Sequence, residues 1–317
     1  MQKRQKIYDL YWYFAYERQN IFLKKEKGLP APWTDDPILR EYKFCNSYRV
    51  NDRVSQYLLK NVIYNGQNYN SEDMLFRIIL FKLFNKESTW ELLLKNFGDI
   101  TLKNFNIKKY SKVLTEAINN KISIYNDAYI SCATKAFGYN HKHDNHLDLL
   151  DKMFNQDKIQ DKIIKCQTME EAFNILKSYP LIGNFMAYQL VTDINYSNVV
   201  NWSENEFTIA GPGSIRGIKK CFENKGNMTN EDIIKYMYNH QDEEFKRLHL
   251  NFQRIGNRPL QLIDCQNIFC ELDKYLRKAV PTLKSNRTHI KKKYTPKKDK
   301  INYIYPPKWH INKQKTN

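Results

Sequence analysis

Apolar residues recur at three- and four-residue intervals along most of the chain. In the first segment Ile7, Tyr11, Phe14, Ile21 and Phe22 share one helical face, a spacing that predicts an amphipathic helix. "APWTDDPIL" then breaks the pattern with two prolines, and Asp36 before Pro37 reads as an N-cap followed by proline at the first helical position. Further helical patterns run through 46–64, 71–84, 110–120, 124–137 and 146–154. Thr168 to Glu171 has capping-box spacing, and Thr229 to Asp232 is a looser version of it. No alternating stretch is long enough to build a sheet, so the expected fold class is all-α. No internal repeat is present, and the clear boundary lies near 284, which divides the chain into a helical domain over 1–283 and a tail over 284–317.

Charge changes this picture. The chain carries +17, a balance that favours a polyanionic partner, nucleic acid first and an anionic membrane surface second. From Pro281 onward eleven Lys or Arg stand against one acid, Asp299, so the tail holds +10 of that total. "KKKYTPKKDK" at 291–300 reads as a flexible basic arm: a phosphate grip, a nuclear-import signal or a solvated tail, or a site for RNA. The cysteines at 45, 132, 166, 221, 265 and 270 form no Cys-x-x-Cys pair. Reduced, mostly buried thiols in an intracellular protein are expected, nuclear in a eukaryote and cytoplasmic otherwise. The polar opening "MQKRQK" shows no secretory signal, and no apolar run reaches membrane-spanning length, so no membrane partner is expected.

Two stretches point to chemistry. "AGPGSIRGIKKCF" at 210–222 sets glycines and a proline before a basic helical segment. It is either a cradle whose N–H groups face phosphate, or a turn over Gly211, Pro212 and Gly213 with Ser214 as cap and Arg216, Lys219 and Lys220 as a wet face. The nucleotide P-loop pattern is not met, because the glycine spacings differ and no Lys-Ser or Lys-Thr follows. "YPLIGNFMAYQLVTDINYS" at 179–197 has the form of a helix-hairpin-helix, with Gly183 and Asn184 at the hairpin. It resembles the Leu-Pro-Gly-x-Gly hairpin of base-excision DNA glycosylases, with Leu181 in place of the first glycine. Those enzymes carry a catalytic Asp about twenty residues on, and here that distance lands on Glu204 and Glu206.

Smaller features leave two readings each. In "DCQNIFCELDKYLR", Asp264, Asn267, Glu271 and Lys274 lie near one helical face, with Gln266, Asp273 and Arg277 on a neighbouring strip. That face points into a cleft or at water. Glu17 and Arg18 read as a buried pair ahead of a substrate clamp, and Arg49 or Arg53 has the charge to meet DNA phosphate. Trp33, Tyr188 and Phe207 are core residues or stacking platforms for a base. "HKHDNH", with His141, His143 and His146, reads as a solvated loop ahead of a metal site.

Taken together, "YWYFAYERQNIF" (11–22), "PWTDDPIL" (32–39), "NSYRVNDRVSQYL" (46–58), "IGNFMAYQLVTDINYS" (182–197), "AGPGSIRGIKKCF" (210–222) and "IDCQNIFCELDKYLR" (263–277) resemble one family. It comprises the helical domain of 5-hydroxymethyl-uracil DNA kinases and the related α-glutamyl/putrescinyl-thymine pyrophosphorylases, and the resemblance spans about 8–278. It implies a helix-hairpin-helix, DNA-glycosylase-like fold working on hypermodified thymine in DNA. The kinase branch adds a P-loop domain that this sequence does not contain, so the implied activity is displacement of pyrophosphate by an amine or amino acid. The resemblance then implies pyrophosphate held by Gly211, Gly213, Ser214, Arg216 and Lys220. A base would come from Glu204, Glu206, Asp264 or Glu271, and DNA contacts from Gly183, Asn184, Arg49 and Arg53. No cofactor and no metal is implied. DNA, the amine donor and a separate 5-hydroxymethyl-uracil DNA kinase are the expected partners. A non-catalytic DNA-binding module and a glycosylase acting on a modified base remain alternatives.

Overall fold

The computed structural model describes residues 1–127, 133–283, 290, 292–295 and 301–311. The remaining tail residues and Cys132 lie outside the described residues. In chain order the helices are α1 (Gln5–Glu26), α2 (Pro37–Glu41), α3 (Arg53–Tyr57), α4 (Ser71–Phe84), α5 (Glu87–Phe97), α6 (Ile107–Asn119), α7 (Lys142–Asp151), α8 (Ile159–Lys165), α9 (Met169–Lys177), α10 (Asn184–Ile194), α11 (Pro212–Cys221), α12 (Asn230–Arg247) and α13 (Leu262–Ala279). Among the described residues the sheet is limited to β1 (Gln2–Lys3) paired antiparallel with β2 (Phe222–Asn224), so the protein is all-α as its periodicity predicts. None of these helices is long and apolar enough to cross a membrane.

Two compact units emerge. Unit 1 takes its described residues from 1–53, 204–303 and 311; unit 2 takes them from 54–203 and 304–310. In unit 1, α13 is the central helix, with α1, α11 and α12 against it. The apolar face predicted for α1 is buried throughout, from Ile7 to Phe22. Tyr11 meets Phe269 at 4.5 Å between ring centroids, and Trp12 meets Phe245 edge-on at 5.1 Å. Asp36 caps α2 by accepting from the N–H groups of Ile38 (2.8 Å) and Leu39 (3.0 Å).

Unit 2 is built around α4, whose residues Met74 to Phe84 are all buried. The continuous helix expected over 46–64 is broken instead: a 3-10 turn at Arg49–Asn51, then α3, then a π-helical turn at Leu58–Ile63. The fully buried Arg77 takes up carbonyls around that turn, donating to Val62 O (3.0 Å) and Ile100 O (2.9 Å). Lys82 pairs with Asp193 at 2.9 Å, both buried. Tail residues 304–310 lie on this unit. Gln56 and Ile304 exchange two hydrogen bonds of 3.0 Å, and Lys308 Nζ donates to Val200 O (2.7 Å), Ser197 O (3.0 Å) and Asn195 Oδ1 (3.4 Å).

Several local expectations need correction. The described part of 124–137 is not helical. "HKHDNH" is not a solvated loop but the start of α7, with His143 and His146 each 1% exposed. His143 bonds Thr115 and His146 bonds Tyr125, both at 2.9 Å. The fuller capping box is at Thr229–Asp232. At Thr168 the hydroxyl accepts from Glu171 N–H, but the Glu171 carboxylate turns to the N–H of Gln167. Glu17 and Arg18 do not pair: Thr34 donates to Glu17 (2.7 Å), while Arg18 donates to the carbonyls of Phe44 (3.0 Å) and Cys45 (2.9 Å).

Candidate functional site

The polar residues of α13 are turned inward, and its buried carboxylates organise unit 1. Gln261 caps the helix, and Asp264 in the first turn closes a capping box by accepting from Gln261 N–H at 2.9 Å. The other oxygen of Asp264 accepts from the backbone N–H of Arg49 at 2.7 Å. Two turns later Glu271 accepts from Cys45 N–H (2.9 Å) and from Lys274 Nζ (2.7 Å). The two carboxylates therefore grip residues 45–49, a polar run whose N–H groups have no helix to bond them.

The electrostatics of the two acids differ. Asp264 is 4% exposed, and burial pushes its carboxyl up to about 6, against the opposing N–H bonds from Gln261 and Arg49 and the charge of Arg258. Glu204 adds to the rise; it forms an ion pair with Arg258, whose carbonyl accepts from Tyr48 Oη at 2.6 Å. Beside Glu271, burial works against the Lys274 ammonium, but Glu271 and the thiols of Cys270 and Cys45 outweigh it and hold Lys274 well above its ordinary value. Glu206 is exposed.

The α11 segment is set by packing. Gly211, not Ser214, is the N-cap, and Pro212 occupies the first helical position. Ser214 stands in the first turn, fully buried, with no partner for its hydroxyl among the described residues. A Cβ on Gly213 would lie 2.3 Å from Cys270 Sγ, and one on Gly217 would lie 2.2 Å from the carbonyl oxygen of Phe269. These glycines let α11 lie directly on α13. On the same face Arg216 and Lys220 reach Asp273, each at 3.0 Å, and Arg277 joins them. Burial favours the neutral acid of Asp273, yet hydrogen bonds from Lys220 and Arg216 hold its carboxyl below the ordinary range. Three cations on one carboxylate leave the cluster at +2, with the Arg216 side chain 21% exposed.

Most of the residues singled out from sequence fall in unit 1. Around α13 the structure brings together Asp264 with Glu204, and Arg216 with Lys220; Glu271 stands apart beside Lys274. Arg49 is 6% exposed and engages Asp264 through its backbone, while Arg53 is half-buried. Gly183 and Asn184 belong to unit 2, where they open α10 after a short turn from α9. Leu181 in that turn has φ +66°, the left-handed conformation that favours glycine, at the position where the glycosylase hairpin has one. Gly183 caps α10 without a side-chain bond, and Gly183, Asn184 and Phe185 are exposed. Of the aromatic residues considered for stacking, Tyr188 is core at 1% exposure, and Trp33 and Phe207 are half-buried. Arg258 escaped the sequence reading because its partner lies 54 residues away. The Asp273–Arg277 spacing was visible, but not the cations of α11 that converge on it.

This all-α architecture, with a carboxylate-bearing central helix and a cation cluster beside it, belongs to a defined family. The chain is a member of the family described as 5-hmdU DNA kinase, helical domain, whose model matches residues 5–285. It is similar to the 5-hmdU DNA kinase of Bacillus phage SP10, with 26% identity over 324 residues, covering 95% of this chain and 50% of that protein. The chain thus spans about half the length of this curated relative. No solved structure matches it.

Proposed function

We propose that the chain acts on 5-hydroxymethyl-uracil in DNA, transferring an amine or amino acid onto the pyrophosphorylated base. The amine nitrogen attacks the exocyclic carbon, the carbon–oxygen bond breaks, and pyrophosphate leaves with the bonding pair. The observation that carries this reading is the family match over 5–285, within which α11 and α13 lie. Two features support it. The Asp264 carboxyl near 6, with Glu204 close by, suits removal of the proton that the amine must lose. Arg216 and Lys220, in a cluster that keeps a charge of +2 after pairing with Asp273, suit a departing pyrophosphate, because charge builds on the leaving group as the bond breaks. Gly183 and Asn184 are the proposed hairpin contact to the DNA backbone.

A second reading is a non-catalytic DNA-binding domain that serves a separate 5-hmdU DNA kinase. The engagement of Gly213, Gly217, Arg216 and Lys220 in holding α11 to α13 favours it. Nucleoside mass spectrometry separates the two. DNA containing 5-hydroxymethyl-uracil, plain or pyrophosphorylated, is incubated with the protein and a pool of amines and amino acids. An amine adduct formed with the pyrophosphorylated DNA alone is the expected outcome. Unchanged nucleosides from DNA that the protein demonstrably binds would transfer the assignment to the binding domain.

A further inference from the structure

In unit 1, described tail residues lie beside the end of α2. Lys43 N–H donates to Lys292 O (3.0 Å), Tyr294 N–H donates to Glu41 O (2.8 Å), and Tyr42 faces Lys293 in an antiparallel bridge. Stretches some 250 residues apart in sequence thereby run side by side at this bridge. Arg40, Lys43, Lys292 and Lys293 are all exposed on this ribbon. The acid among them is Glu41, 3.3 Å from Lys293, but that pair is wide open to water at 47% and 78% side-chain exposure, so it neutralises little. The next residue, Tyr294, fastens the ribbon to α1. Lys25 Nζ donates to Tyr294 Oη (3.1 Å) and stands 4.2 Å from the Tyr294 ring centroid and 4.5 Å from that of Trp33.

We propose that this ribbon, through Arg40, Lys43, Lys292 and Lys293, grips the sugar–phosphate backbone of duplex DNA. The argument is charge complementarity. Arg40 at the end of α2 with Lys43, Lys292 and Lys293 on the bridged stretches, offset by one acid, leave +3 in a small area, and the Tyr294 contacts to Lys25 hold the tail residues there, which lowers the entropy lost on contact. The inference rests on the reading that this chain handles DNA, and assigns part of that contact to residues outside the candidate site.

The test measures binding to an unmodified DNA duplex as a function of salt, for the full chain and for the variant R40Q/K43Q/K292Q/K293Q. Each phosphate contact contributes roughly 0.9 to the slope of log affinity against log salt, so the variant is expected to lose a slope of about 2 to 4. A control variant, K95Q/K162Q/K246Q/K278Q, removes the same charge from scattered exposed positions and is expected to keep the slope nearly intact. Acetylation of the unmodified protein gives an independent reading, with Lys43, Lys292 and Lys293 protected when the duplex is bound. An unchanged slope in the ribbon variant, an equal loss in the control, or tighter binding to anionic vesicles than to the duplex would overturn the ribbon. Amine transfer that persists beside an unchanged slope removes the ribbon alone. A full chain that does not bind DNA at all removes both the ribbon and the proposed function.

Discussion

Asp264 is the residue at which architecture and proposed chemistry compete. Its carboxylate holds the entry to α13 and residue 49, yet burial raises its pKa from 3.8 to about 6. In the unfolded chain the group ionises near its ordinary value, so between about pH 4 and pH 6 the folded state binds the extra proton. The stabilising contribution is complete below pH 4 and is lost as pH rises through 6, a change of about 3 kcal/mol. Asp264→Asn should flatten that part of the stability profile measured by urea unfolding. It should also lower stability overall, because one of the two N–H donors then faces an amide NH₂. A profile as steep as the parent's would remove Asp264 as the group responsible.

At the level of helices, glycine carries two different meanings in this chain. Gly217 supports contact with the Phe269 carbonyl, whereas at Gly183, with a φ of −86°, an added Cβ would meet no atom within 4 Å. Gly217→Ala should therefore cost about 3 kcal/mol by forcing α11 off α13. Gly183→Ala should change stability by no more than about 0.5 kcal/mol. Unfolding midpoints of the two variants check the contrast. The same comparison explains what was legible in the sequence. Helices α1, α4 and α6 were readable because one face of each, or all of α4, is apolar at regular spacing. The start of α11 was not, because a glycine that admits an anion and a glycine that admits a neighbouring helix leave the same letters. His143 and His146 were misplaced for a related reason: polar side chains that bond Thr115 and Tyr125 internally look like surface residues in a pattern of apolar and polar positions. The grip of Asp264 and Glu271 on residues 45–49 spans more than 200 residues of sequence, beyond any local periodicity.

For the molecule as a whole, each unit is assembled from separated stretches of chain. Lys308 shows how much rests on the second stretch of unit 2, since its ammonium serves acceptors on Asn195, Ser197 and Val200. Lys308→Met should cost about 1 to 3 kcal/mol by taking this donor from the carbonyls of Ser197 and Val200, while Asn195 Oδ1 keeps its bond from the Trp202 N–H. Hydrogen exchange should rise at 195–203 before it rises elsewhere, and uniform protection across the variant would argue against this role. The arrangement also sets an order of events during synthesis. Residues 54–203 leave the ribosome long before 304–310, and residues 1–53 long before α13, so neither unit can close while its earlier stretch is being made. Unit 2 must wait, partly open, through about one hundred further residues of translation and unit 1 through about two hundred before α13 is complete, windows in which holding chaperones would find the exposed faces of α10 and α1.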